Sequence, residues 1–452
     1  MTSVQIGGQD SWALHVLNRL FDSFPNTTFL PHCTQLELLV AGNTTFDSRL
    51  EGELIRRCKK LIIRGNSVEQ VAYRNIAQST ERLQDLEVDS NCIPGWLGII
   101  AFRNLHSLRS VSLPVVVCWK TLSSIPYLES LVVRDTLQPS SWLDIRHHLN
   151  SLRHLHCSSS HPAHVVEHLL LPSLESFHFT YTSRSIFPIK ALFGRLGCIG
   201  PNLRHFLLET CDTMSLRRET IEEDLILPDD LLPLSRFTNM RRFEITGGMD
   251  FALDESILFE LVISWRDIEV FSLPCIPSTS SFLTMESLVI LASSCPTLRI
   301  LHLPLSKDDV HRVSHPLAYT MELGDAVSNV SELNIGVPPC LSPPEAAEFL
   351  FHVFPHLTKL ADACHDATLE YLNWAEVVRL VETRFDPVMP PTRIQFQDHM
   401  DEYLSDIDDT DNQLSNDSCS EPDSQDDEWV NISTPSTDRD EVEGYVVNKD
   451  IE

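Results

Sequence analysis

The chain has 452 residues, 64 acidic against 34 basic, for a net charge of −30. That balance disfavours nucleic acid and anionic membrane surfaces as primary ligands, because both demand an excess of Lys and Arg. Hydrophobic residues make up 42%, enough for a sizeable core. No stretch of about 18 apolar residues supports a membrane span.

Met1–Asp10 is polar and opens no signal-peptide core. Twelve cysteines on a long chain without a signal read as reduced, buried thiols, and the sequons at Asn26, Asn43 and Asn329 as unused. A cytoplasmic or nuclear location is expected. Residues 1–32 read as an N-terminal capping segment holding one amphipathic stretch, Trp12–Phe24.

From Cys33 the phrase Leu-x-x-Leu-x-Leu recurs. The early copies are Cys33/Leu36/Leu38, Cys58/Leu61/Ile63, Leu83/Leu86/Val88, Leu108/Val111/Leu113, Leu128/Leu131/Val133 and Leu152/Leu155/Cys157. Then come Leu174/Phe177/Phe179, Leu203/Phe206/Leu208, Met240/Phe243/Ile245, Ile268/Phe271/Leu273, Leu298/Leu301/Leu303 and Val330/Leu333/Ile335. A thirteenth, Leu357/Leu360, breaks at Asp362 and marks a closing cap. The mean step is 27 residues, with extremes of 20 and 37. All but one of the 39 key slots are apolar or Cys, where composition alone would give about 16.

In a short strand, slots +3 and +5 point to one face and slots +2, +4 and +6 to the other. One unit cannot bury its apolar face alone, so stacked units are required. Helices are predicted over Val68–Gln78, Ile257–Trp265, Met285–Ser293 and Pro344–Phe354. The expected fold is therefore an α/β leucine-rich-repeat solenoid over 33–390, a curved parallel sheet backed by helices with irregular repeats. The long interval from 203 to 240 holds Arg217–Asp224 and predicts a loop or longer helix at one rim.

Residues 401–452 hold 18 acidic residues against Arg439 and Lys449. The segment 391–452 reads as a disordered acidic tail. Ser405, Ser418, Ser420 and Ser424 each precede an acidic residue by three positions. They read either as sites for an acid-directed kinase or as parts of an unmodified solvating tail.

Histidine clusters at His147, His148, His154, His156, His161, His164 and His168. By slot, His154 and His156 face the concave side, His178 sits beside His156, and His205 takes slot +2. Three readings stay open: a shared divalent metal, a pH-sensitive or partner-binding patch, and ordinary surface histidines. Slot +1 carries Arg109, Arg153, Arg204, Arg241 and Arg299 with Glu129, Glu175 and Glu269 interleaved. This predicts a charge ladder, structural in role, with a peptide groove as the functional alternative. No nucleotide loop, nucleophile elbow, His-Glu-x-x-His or Cys-x-x-Cys occurs, so neither enzyme activity nor a cofactor is expected. Cys33, Cys58 and Cys157 fill core slots and are expected to be inert.

The repeats resemble those of F-box/leucine-rich-repeat proteins, and more closely the fungal (basidiomycete) set. The likeness is carried by Cys295–Leu303, Leu231–Ile245 and Trp265–Leu273, and it covers roughly 30–385. It implies recognition of a substrate for ubiquitin ligation. An F-box is not visible: 32 residues precede the first repeat, with no Leu-Pro-x-Glu-like phrase. A cullin adaptor is an expected partner only if an F-box is restored upstream.

The leading expectation is a non-catalytic scaffold binding a protein partner on the concave face through His154, His156, His178, His205, Leu207, Arg242 and Glu244. The alternative is an acidic-tailed binder or chaperone of basic proteins such as histones. A small-GTPase activator is disfavoured, because slot +8 holds Asn66 and Asn91 but then Val116, Thr136, Ser160 and Thr182. A metal-dependent hydrolase would rest on the histidines alone.

Overall fold

The computed structural model describes residues 3–7, 19, 23, 34–40, 58–65, 82–88, 106–113, 119–137, 147–183, 187–196, 199–210, 225–275, 281–306, 328–336, 342–361 and 369–385. The chain divides into two units, Met1–Met389 and Pro390–Glu452, and every described residue belongs to the first. Trp12–Phe24 (Arg19 and Ser23 apart), Val68–Gln78, Arg217–Asp224 and the four tail serines lie outside the described residues.

The strands of the main sheet begin with β1 (Ser3–Gly7), β2 (Gln35–Val40), β3 (Lys60–Gly65), β4 (Asp85–Val88), β5 (Ser110–Leu113) and β6 (Ser130–Leu137). The pair β7 (His147–His148) and β9 (Leu169–Leu170) forms a small separate sheet around β8 (His154–Ser159) in sequence. The main sheet continues with β10 (Ser176–Tyr181) and β11 (His205–Thr210). A second small sheet pairs β12 (Leu225–Ile226) with β14 (Asp250–Phe251), flanking β13 (Arg242–Thr246). The main sheet then closes with β15 (Val270–Ser272), β16 (Ile300–His302), β17 (Glu332–Asn334) and β18 (Lys359–Leu360). All fourteen main-sheet strands run parallel, each hydrogen-bonded to the next repeat's strand. This is an α/β solenoid of the leucine-rich-repeat kind, with β1 an extra strand ahead of the thirteen repeats.

The predicted frame explains the burial. Of the thirteen slot triplets, only Cys33, Leu38 and Asp362 lack a described side chain. Every other slot is buried, none above 5% exposed. Strand alternation follows: β10 reads half-buried then buried along Ser176, Phe177, His178, Phe179, Thr180 and Tyr181. Slot +3 is aromatic over four consecutive repeats, so Phe177, Phe206, Phe243 and Phe271 meet across the rungs at centroid distances of 6.0, 5.4 and 6.0 Å. Trp265 closes this column at 5.1 Å from Phe243, its indole N–H donating to the Leu234 carbonyl at 3.2 Å.

Slot +1 carries the backbone from rung to rung. Lys59 N donates to Thr34 O, Gln84 N to Lys59 O, and so on in twelve unbroken steps to Thr358 N on Ser331 O, at 2.7–3.0 Å. Each acceptor carbonyl also receives the N–H of slot +2. The 37-residue step from Arg204 to Arg241 obeys the same rule, at 2.8 Å.

Helices return on the core side of the sheet. They are α1 (Trp119–Leu122), α2 (Pro162–His168), α3 (Phe187–Arg195), α4 (Pro228–Leu231), α5 (Glu255–Ser264), α6 (Met285–Ser294), α7 (Pro343–Val353) and α8 (Leu369–Phe385). Helix α5 buries Ile257, Leu258, Leu261 and Val262, one stripe at helical spacing. It starts where Asp254 accepts from Ile257 N at 2.8 Å. Helix α6 starts at Thr284, which accepts from Glu286 N, while Ser287 accepts from Thr284 N. The Thr284 and Ser287 hydroxyls both donate to Glu255, tying α6 to α5. The predicted ends of these helices are off by at most two residues. Helix α8 covers the last strand and was not foreseen.

Candidate functional site

With the core on one side, slots +2, +4 and +6 form an open face. Register sets one residue beside another at slots +2 and +4 from rung to rung; beyond slot +4 it shifts between β6 and β8, between Val132 and Thr136. Slot +4 reads Glu37, Ile62, Glu87, Ser112, Val132, His156, His178, Leu207, Glu244, Ser272, His302 and Asn334. Slot +2 over the central rungs reads Ser130, His154, Ser176, His205 and Arg242. All seven predicted residues therefore share the open face, on the four neighbouring strands β8, β10, β11 and β13.

The imidazoles of His156 and His178 stack at 3.7 Å with 14° between planes. Ring nitrogens bind a metal in the ring plane, and two nearly parallel planes this far apart cannot converge on one ion. The shared-metal reading is thus corrected by ring orientation. No group of three or more His, Cys, Asp or Glu among the described residues is placed to hold a metal ion.

The outer edge of the pair is held by Glu209 at slot +6. Its Oε1 stands 3.1 Å from His178 Nε2, off the line of a hydrogen bond, and Oε2 accepts from Thr180 Oγ1 at 3.2 Å. Burial holds the His156 pKa below its ordinary value; the neighbouring His178 adds to that and Glu209 opposes it. His205 is also held low, by burial first and then by Arg242. Arg242 folds onto Glu244, two residues along the same strand, so these two predicted residues neutralise each other. Leu207, half-buried, is the apolar spot between His178 and Glu244.

The flanks differ. Towards the N-terminus, Arg64 pairs with Glu37 at 3.1 Å and reaches Glu87 at 4.0 Å, and Arg134 pairs with Glu87 at 2.7 Å. Between Arg134 and Arg242 the described strand slots of this face hold no Lys or Arg, and histidine takes their place.

Towards the C-terminus the same slots hold residues not singled out from sequence. Ser272 Oγ lies 3.0 Å from His302 Nδ1, His302 Nε2 lies 3.4 Å from Glu332 Oε1, and that oxygen accepts from Lys359 Nζ at 2.8 Å. Which of Ser272 Oγ and His302 Nδ1 donates depends on the imidazole tautomer. Burial holds the His302 pKa low against the pull of Glu332. Lys359 holds the Glu332 pKa low. The N–H of Leu273, next to the serine, is spent on the His302 carbonyl at 2.9 Å. Reading slots +2 and +4 in repeats 10 to 13 would have found all four residues.

Of the other clustered histidines, His147 and His148 form β7, His161 precedes α2 and His168 is its last residue. Cys157 is buried and its thiol is pushed up by burial; Cys58 is buried as well, and Cys33 lies outside the described residues. No helix among the described residues is long and apolar enough to cross a membrane.

No family model matches this chain, and no curated protein matches its sequence. Solved structures match at low identity, two of them as follows. One is the leucine-rich repeat-containing protein LegL7 from Legionella pneumophila, at 12% identity and a TM-score of 0.32, covering 85% of this chain and 98% of that one. The other is a chain of the yeast Rad7–Elc1 complex, at 15% identity and a TM-score of 0.36, covering 80% of this chain and 91% of that one.

Proposed function

We propose that this chain is a non-catalytic recognition scaffold that binds a protein partner on its open sheet face, centred on His178 and Leu207. The observation that carries this reading is the register. Thirteen rungs fix side chains of mixed chemistry at about 4.8 Å spacing, so a partner meets a surface already ordered and loses little entropy there. The stacked histidines, the half-buried Leu207 and the Arg242–Glu244 pair offer aromatic, apolar and polar contact within four strands. Affinity capture with the full chain tests it. The double variant His178→Ala, Leu207→Ala should lose the captured partner while keeping its melting temperature. A partner retained by that variant overturns the face assignment.

Within this reading, the likeness of the repeats to F-box proteins supports substrate recognition for ubiquitin ligation. Recovery of a cullin adaptor with the partner is the corresponding test. The charge of 401–452, 18 acidic residues against two basic, favours a second reading, a binder or chaperone of basic proteins such as histones. That reading expects histone binding to vanish when 401–452 is deleted and to weaken steeply with salt.

A further inference from the structure

The strand-start edge of the sheet is charged against the trend of the chain. Lys59, Arg109, Arg153, Arg204, Arg241 and Arg299 occupy six of the thirteen slot +1 positions, and glutamate three, in a protein of net charge −30. All six cations are exposed; the side chains of Glu129, Glu175 and Glu269 are 45%, 30% and 44% exposed, so positive charge prevails along this edge by number, six against three.

Three of the arginines rest on glutamates of the next rung: Arg109 on Glu129 at 3.9 Å, Arg153 on Glu175 at 3.4 Å and Arg241 on Glu269 at 3.6 Å. These side chains are 50–59% exposed on the arginine side, and ion pairs so open to water hold weakly and exchange readily. Arg204 and Arg299 have no carboxylate partner among the described residues. Arg266, in the turn before Glu269, is exposed and likewise unpaired there.

We propose that this edge is a docking strip for an acidic, extended segment of a partner protein, laid across the strands from Arg109 to Arg299. The backbone ladder fixes one side chain per rung, and seven steps of about 4.8 Å give about 34 Å. That is the length of about ten extended residues at roughly 3.4 Å each. Five of the six cations are Arg, whose planar fork matches a carboxylate in two parallel hydrogen bonds. A peptide can place acids at intervals and pass neutral residues over the three glutamates. A nucleic-acid strand carries charge at every unit and meets those glutamates as well. The strip uses slot +1, so it goes beyond the open-face reading and does not rest on it.

The test is fluorescence anisotropy of a labelled (Glu-Ser)5 peptide with the full chain, against a (Gln-Ser)5 control, at 50 and 200 mM salt. The acidic peptide alone should bind, several-fold more weakly at the higher salt. The double variant Arg204→Glu, Arg299→Glu should lose at least tenfold in affinity with an unchanged melting curve, since both side chains are exposed. Arg153→Gln, Arg241→Gln should weaken binding in the same direction without reversing charge. His178→Ala, Leu207→Ala should bind the peptide as the parent does, separating this strip from the open face. Equal binding of both peptides, or unchanged affinity after charge reversal, overturns the proposal. A ten-nucleotide single strand binding more tightly than the acidic peptide also overturns it and assigns the strip to nucleic acid.

Discussion

Phe243 is the ring on which the middle of the solenoid turns. It is buried at slot +3 of repeat 9, stacked on Phe206 at 5.4 Å and 16°, and it touches Trp265 at 5.1 Å and Phe271 at 6.0 Å. Replacing a buried Phe by Ala costs about 3–5 kcal/mol through lost transfer energy and the cavity left behind. Aromatic pairs add about 0.5–1.5 kcal/mol each beyond area, and three such pairs place Phe243→Ala near the top of that range. Phe243→Leu keeps most of the volume and should cost about 1–2 kcal/mol, chiefly the ring contacts. Urea unfolding followed by far-ultraviolet circular dichroism reads both. Contacts in a repeat array reach only neighbouring rungs, so a double-mutant cycle of Phe243→Ala with Phe206→Ala should show coupling of about 1 kcal/mol or more. The same cycle with Leu61→Ala, seven strands away in sheet order, should be additive within about 0.5 kcal/mol. A cost for Phe243→Ala below about 1 kcal/mol, or equal coupling to Leu61, would refute the stacked column as the source of stability.

Folded-state pKa values of His147, His156, His205 and His302 lie below the ordinary value, so the unfolded chain takes up protons first as pH falls. Stability should hold above about pH 6.5 and decline below it, with a shallower decline in His156→Gln; a urea midpoint that rises between pH 7 and pH 5 contradicts this. Gly247 has φ of +106° and a Cβ there would meet Thr210 Oγ1 at 2.0 Å, so Gly247→Ala should lose on the order of 2 kcal/mol in urea titration. Gly194 in α3 has open space around its Cβ position, and Gly194→Ala should instead gain about 0.5–1 kcal/mol. Burial pushes the thiols of Cys157, Cys275 and Cys295 up, the last two to about 12, so none should react with a thiol reagent at pH 8 until urea unfolds the chain. Labelling of any of the three in the native protein contradicts that.

Strand placement was readable because each unit repeats one physical demand. Leu, Val, Phe or Cys must fill slots 0, +3 and +5, and that parity alone puts His154, His156, His178 and His205 on the opposite face. The exchange of Leu for Phe at slot +3 in repeats 7 to 10 was visible, but not that the rings would stack. Ring orientation depends on rotamers, and it is orientation that turns His156 and His178 from potential co-ligands into a stacked pair. The strand β1 escaped notice because Ser3–Gly7 offers only Val4 and Ile6, with no Leu-x-x-Leu-x-Leu phrase around them. The chain from Ser272 to Lys359 escaped because single Ser, His, Glu and Lys residues about 30 apart carry no local signal. The repeat frame, read at slots +2 and +4, is what brings them to neighbouring rungs.

The wide gap between Arg204 and Arg241 leaves Phe206 and Phe243 in contact as though the intervening chain were of ordinary length. Sheet geometry here is indifferent to how much polypeptide travels outside it. A gene fusion that splices a folded reporter between Thr210 and Leu225 should therefore leave the Phe206–Phe243 contact intact.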